Sequence, residues 1–270
     1  MFPSLLLALR EGVEAALILG IVLSTLRTLQ RADLNRSVWA GASAAGLASL
    51  GVATGLRLVG ATLEEPAEQI FEGISMLLAA GILTWMLFWV KHQARHQRVG
   101  IEEQVRGSLA GRPIFWLAFL AVFREGVELA LFLLAVGSNS APLQTLTGAL
   151  LGLAAAALLG WLAFNSSRRL SMRAFFQATN ILLLLVAAGL VAHGIHEFVE
   201  IGWLPTLIDP LYDVNGILNE NSILGSLLKA MFGYNGNPSL LETLVYAGYL
   251  AALGLLVSLQ SRPARLQSTS

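Results

Sequence analysis

Seven long apolar stretches dominate this chain, at about residues 2–26, 37–60, 67–90, 113–137, 142–165, 174–196 and 240–260. Each approaches the roughly 20 residues that a helix needs to cross about 30 Å of hydrocarbon. Lipid offers the backbone no hydrogen-bond partner, so such segments must satisfy their amides internally, as helices. Charged residues make up only 13% of the chain, about half the share typical of soluble domains. The expected fold is therefore all-α: a polytopic membrane protein of seven transmembrane helices.

The basic residues set its orientation. Arg27, Arg31 and Arg36 follow the first stretch, and Lys91, Arg95, Arg98, Arg106 and Arg112 follow the third. Arg168, Arg169 and Arg173 follow the fifth, and Arg262 and Arg265 follow the seventh. Of the remaining four, Arg57 and Lys229 fall on the other side, and Arg10 and Arg124 lie inside stretches. Positive residues mark the cytoplasmic face, so the N-terminus is expected outside and the C-terminus inside. The opposite side is acidic, with Glu64, Glu65 and Glu68 before the third stretch and Glu197, Glu200, Asp209, Asp213 and Glu220 after the sixth. Singly these read as a solvated rim; together they would concentrate cations at an entrance. No basic region precedes the first apolar run, which Arg10-Glu11 interrupts, so a cleaved signal peptide is not expected.

The chain also repeats itself. Residues 10–19 read REGVEAALIL and residues 124–133 read REGVELALFL, identical at eight of ten positions. Stretches three and six match at an offset of 108, pairing Gln69, Glu72 and Ala79-Ala80-Gly81 with Gln177, Asn180 and Ala187-Ala188-Gly189. Stretches two and five show no comparable register, although both are glycine-rich, which favours close helix packing. One permease domain over residues 1–270 is expected, with repeat one at 1–92, repeat two at 113–200, an outer loop at 201–239 and the seventh helix at 240–260. Three helices per repeat is an odd number, so the second unit lies inverted. Inverted repeats meeting at a midplane site are a transporter architecture.

The repeated pentapeptide carries the chemistry. Glu11 and Glu14 are three apart and share one helix face, while Arg10 and Glu14 are four apart and can pair; Arg124, Glu125 and Glu128 repeat the pattern. Each charge at the bilayer centre costs about 2.5–3.5 kcal/mol on insertion scales, so the six must be compensated together. Antiparallel first and fourth helices would let the motifs face each other. Four carboxylates and two guanidiniums leave a formal surplus of negative charge, and an oxygen-rich site of this kind suits a hard or borderline cation. The arginines would hold the acids ready while no cation is present. Clustered acids also share protons, which cation entry would displace. A set of Arg–Glu pairs that merely fastens helices is the competing reading. Two copies, each with more acids than bases, favour a site.

Soft chemistry is not expected. The chain has no cysteine, which excludes disulfides and thiolate sites. Its five methionines (Met1, Met76, Met86, Met172, Met231) are scattered, against a thioether route for copper(I).

Peripheral candidates follow. Glu72 and its repeat counterpart Asn180 line a pathway or pack as polar residues within the bundle. His193, Glu197 and Glu200 share a helix face at the outer end of stretch six and could form a second cation site, with His196 beside them; interfacial polar caps are the plainer reading. Glu68 belongs to the same outer rim. His92 and His96 lie in a basic segment and read as solvated. In 201–239, Trp203 and Pro205 suggest an interfacial anchor, and Ile223 to Phe232 a short amphipathic helix over the outer vestibule.

With Arg-Glu-x-x-Glu in the first and fourth helices, as Arg10-Glu11-Gly12-Val13-Glu14 and Arg124-Glu125-Gly126-Val127-Glu128, the chain resembles the oxidase-dependent iron transporter family. That family includes the fungal high-affinity iron permease and bacterial EfeU-type permeases. The resemblance covers essentially the whole chain, and His196-Glu197 followed by Gly202-Trp203-Leu204-Pro205 is similar to the bacterial branch. It implies iron import across the plasma membrane (the inner membrane in bacteria), with the motif glutamates as iron ligands and no resident cofactor. It also implies extracytoplasmic partners: a copper oxidase in fungi, a haem peroxidase and a cupredoxin-like protein in bacteria.

Two other readings compete. Carboxylates discriminate poorly among manganese, zinc, lead and iron, so a permease for another cation is the nearest. A membrane di-iron enzyme ranks lower, since such sites add Glu-x-x-His ligands that neither motif contains. A retinal photoreceptor would need a lysine in the last stretch, and none is there.

Overall fold

The computed structural model describes residues 1–107, 110–137, 141–165, 172–220, 222, 224–225, 228–229 and 233–260. The side chains of 87–99, 165, 172–174 and 260 lie outside that description. Seven long helices are described: α1 Phe2–Thr28, α2 Asn35–Ala61, α3 Ala67–Gly107, α4 Gly111–Gly137, α5 Pro142–Asn165, α6 Met172–Glu200 and α7 Leu240–Gln260. The chain is thus all-helical, as composition demands. Five segments are long and apolar enough to cross a membrane on length and composition alone: Ala32–Ala61, Ala67–Met86, Pro142–Phe164, Phe175–Glu200 and Leu240–Leu259. α1 and α4 fall outside that set, and each carries one Arg and two Glu at its motif. α3 runs 41 residues, about 60 Å at 1.5 Å per residue, so it continues well past the apolar stretch into the basic segment.

Of the orientation markers, Arg168, Arg169, Arg262 and Arg265 lie outside the described residues, as do the side chains of Lys91, His92, Arg95, His96, Arg98 and Arg173. Most of Ile223–Phe232, where a short amphipathic helix is expected, lies outside them too.

Small residues decide which helices touch. Gly148 of α5 faces the backbone of Met1 and the Ser4 hydroxyl, and Gly152 faces Leu5 and Ala8. A Cβ at Gly12 would come 2.6 Å from Ala156 Cβ, and one at Gly160 2.8 Å from Ala16 Cβ. The contacts climb both helices together, so α1 and α5 run parallel. α2 and α4 are also parallel: Gly41 meets the backbone of Phe115, and further along Gly126 meets Ser49. α3 packs on α6 where Gly73 and Gly194 approach each other, with Ala79, Ala80, Ala187 and Ala188 fully buried. Lipid tails are as apolar as leucine, so close packing rather than water exclusion must hold helices together in a membrane. The outward face is correspondingly apolar, including Leu47, Trp85, Leu143, Trp161, Ile181 and Leu255.

Two apolar clusters result. One joins Leu6 and Leu7 to Met76, Leu83, Met86, Phe132, Val136 and Leu190. The other joins Val22, Leu26, Leu34, Val38, Val105, Ile114 and Ala118. The segment between α6 and α7 folds back on itself, with the amides of Leu211, Val214 and Leu240 donating to the carbonyls of Pro238, Gly236 and Ile208 at 2.8, 2.8 and 2.9 Å. Its Gly233, at φ +66°, lies against Gly189 of α6, an approach that neither a side chain nor an ordinary backbone would allow.

Candidate metal site

On α1 the pentapeptide lies between residues 6–7 of the first apolar cluster and 22–26 of the second. On α4 it lies between 114–118 and 132–136. The charges therefore occupy the gap between two apolar layers. In such surroundings polar groups gain strength from one another or cost dearly.

Arg10 is 1% exposed. Its Nη1 donates to Glu11 Oε1 at 2.6 Å and to Met86 Sδ at 3.3 Å, and its Nη2 lies 2.9 Å from Glu14 Oε1. Across the gap, Arg124 Nε donates to Glu128 Oε1 at 2.9 Å and lies 3.8 Å from Glu125 Oε1. The i to i+4 pairing expected within each motif is present in both. Glu11 and Glu125 are within electrostatic reach of each other between the helices, and Glu14 is within reach of Glu128 and Arg124. Carboxylate oxygens of Glu11, Glu14 and Glu125 lie within 4.8 Å of one another. Glu11 Oε2, Glu125 Oε2 and Glu128 Oε2 are buried without a hydrogen-bond partner. Unsatisfied, inward-facing carboxylate oxygens from two helices are a suitable donor set for a hard or borderline cation.

The peripheral candidates separate into groups. Glu197 lies within electrostatic reach of Glu72, Glu68, Glu200 and His196, so four acids gather there. The face expected to join His193 to Glu200 is arranged differently. His193 Nδ1 bonds the Gly189 carbonyl at 2.9 Å, and it is His196 Nε2 that meets Glu200, at 3.2 Å. Asn180 is half-buried and about 20 Å along α6 from His193, away from this group.

Three residues escaped sequence reasoning. Glu242 accepts from Ser239 N, Ser239 Oγ and Asn235 Nδ2 at 3.2, 2.7 and 2.9 Å, and its Oε1 is 3.0 Å from His196 Nδ1. It ties the start of α7 to α6. Its signal was present: Ser239-Leu240-Leu241-Glu242 is a capping box ahead of an apolar run, closed by Glu242 N donating to Ser239 Oγ at 3.3 Å. Tyr249 shares a 2.6 Å hydrogen bond with Thr84 of α3. Met86 reaches the guanidinium of Arg10, and no local pattern announces it.

Paired acids buried between two helices of a multi-helix membrane protein suit a polytopic transporter, and the family of the chain places it in that class rather than among enzymes. The chain belongs to the iron permease FTR1 family, whose model matches residues 1–269. It is 35% identical over 275 aligned positions to the ferrous iron permease EfeU of Shigella sonnei, and equally to that of Escherichia coli O157:H7, each alignment covering both chains fully. The EfeU of Yersinia pestis is 34% identical over 267 positions, covering 97% of this chain and 95% of its own. No solved structure matches the chain.

Proposed function

We propose that this protein imports iron through a cation site formed by Glu11, Glu14, Glu125 and Glu128, with Arg10 and Arg124 as its counter-charges. One observation carries the reading: acids from both pentapeptides converge to within 4.8 Å between two apolar layers. Ferrous iron is the favoured cargo, since the EfeU relatives are ferrous iron permeases. Glu68, Glu72, Glu197 and Glu200 would gather cations at the outer mouth.

This reading includes seven spans in two inverted halves, N-terminus outside, in a plasma or bacterial inner membrane. Several contacts support it. α1 and α5 run parallel, as do α2 and α4, which alternating spans require. A register between spans two and five also emerges from packing: Gly41 meets Phe115 as Gly148 meets Met1, and Ser49 meets Gly126 as Ala156 meets Gly12. Each substitution of partners follows the same offset, 107 for α2 to α5 and 114 for α1 to α4. The oxidase or peroxidase and cupredoxin-like partners implied by the resemblance would reach the outer segment 201–239.

Iron flux into proteoliposomes tests the site. Glu14→Ala and Glu128→Ala should each lower uptake about tenfold or more, equivalent to at least ~1.4 kcal/mol of lost cation binding. Uptake at the parent rate by both variants would remove the motifs from the mechanism. Competition by manganese or zinc in the same assay separates an iron carrier from a general divalent one.

A further inference from the structure

Arg10 sits in a position of chemical conflict. Its Nη1 is committed to Glu11 Oε1 at 2.6 Å, and its Nη2 neighbours Glu14 Oε1 at 2.9 Å. Both acids belong to the proposed cation site, to which Glu11 offers its Oε2, buried without a hydrogen-bond partner. Arg10 cannot follow them into water, being 1% exposed, and its Nε already lacks a hydrogen-bond acceptor among the described residues. A cation on Glu11 Oε2 repels the guanidinium and draws Glu11 away from it, so the bond to Oε1 loosens inside an apolar layer. A buried donor left without an acceptor costs more than an ordinary hydrogen bond contributes.

Met86 offers a resolution. Its Sδ lies 3.3 Å from the same Nη1, and the residue is 3% exposed, so no water competes for the contact. A thioether is a weak acceptor. It is too weak to draw the guanidinium from a carboxylate, yet sufficient to hold it once the carboxylate has gone to a cation. It adds no charge that would trap the metal. The residue in the equivalent place of the second half is Gly194, 108 positions on. A Cβ there would already stand 3.1 Å from the Gly73 carbonyl, so no side chain of methionine's length fits. The second half therefore offers no methionine at that place.

We infer that Met86 is a positioning residue for transport: its sulfur is the standby acceptor that keeps Arg10 satisfied while Glu11 is transferred to the cation. Met86 acts through Arg10 and need not touch the metal. The inference rests on the proposed carboxylate site.

The test is Fe(II) uptake by proteoliposomes, kept reduced with ascorbate, comparing the parent with Met86→Leu and Met86→Gln. Leucine keeps the volume and removes the acceptor; glutamine restores one at similar reach. Met86→Leu should raise KM for Fe(II) about fivefold with kcat within about twofold, the range expected for one buried hydrogen bond. Met86→Gln should return KM to within about twofold of the parent. An unchanged KM in Met86→Leu, or a Met86→Gln variant as impaired as Met86→Leu, overturns the inference. If Met86→Leu does not accumulate, norleucine incorporation replaces it, because it exchanges sulfur for methylene at nearly constant shape. The reference is then Met86→Gln grown with norleucine, which differs only at position 86, and equal KM values in the two overturn the inference as well. Glu14→Ala and Glu128→Ala run alongside. If they import normally, the site reading itself fails. If they are defective while Met86→Leu matches the parent, only the role of Met86 fails.

Discussion

The two pentapeptides are identical in sequence and unlike in surroundings. Arg10 is 1% exposed, enclosed by Glu11, Glu14 and Met86. Arg124 is 45% exposed while holding Glu128 and facing Glu125. Their acids differ less: Glu14 and Glu128 are 17% and 16% exposed, and Glu11 and Glu125 are nearly closed off at 1% and 4%. On the proposed reading α4 spans the membrane, where a half-open guanidinium facing hydrocarbon would pay heavily. Its open side would then face water, making the second motif the wet wall of the proposed site and the first the dry wall. An identical string of residues can thus do two jobs, because the neighbours on α3 and α6 differ.

The largest expected effect breaks the comparison outright. Replacing Arg10 by Met strands buried acids and should cost about 3–5 kcal/mol of stability, as removing one partner of a buried ion pair does. Replacing Arg124 by Met should cost about 1 kcal/mol or less, as for solvent-screened pairs. Thermal unfolding of the two purified variants in detergent reads the difference, and equal losses would erase the distinction between walls.

A second measurement sharpens it. The chain has no cysteine, so Arg124→Cys and Arg10→Cys each carry a single thiol. A water-soluble thiol reagent should modify position 124 about tenfold faster or more, since thiolate formation and access both need water. Comparable rates would mean that both motifs are wetted alike.

The smallest effect concerns support behind the motifs. Gly12→Ala and Gly126→Ala should each destabilise by about 1–3 kcal/mol through overpacking, against Ala156 and Ser49 respectively. Ala156→Gly should relieve only the first and Ser49→Gly only the second, as a double-mutant cycle would report. Relief by the wrong partner would refute the helix pairing.

Much of this was legible beforehand, for definite reasons. Apolar length fixes helices, and Glu11 and Glu14 must share a face at spacing three. That Glu125 meets Glu11 follows once α1 and α4 run antiparallel. The difference between Arg10 and Arg124 was not legible, because local sequence is the same at both. It depends on Met86, 76 positions from Arg10, and on the backbone approach of Gly73 to Gly194. The register between α2 and α5 was hidden for a related reason: packing needs only smallness, so Ser49 can stand where Ala156 does without visible identity. Glu242 is legible from its capping box with Ser239.

The cross-pairing of helices has a consequence for assembly. α1 leans on α5, and α2 leans on α4, so each wall of the bundle is made from one early and one late segment. A chain severed after residue 109 would yield two pieces, neither able to cover its own glycine-lined surface. Co-expressed, they should find each other in the bilayer like halves of a clasp; expressed singly, each should be degraded.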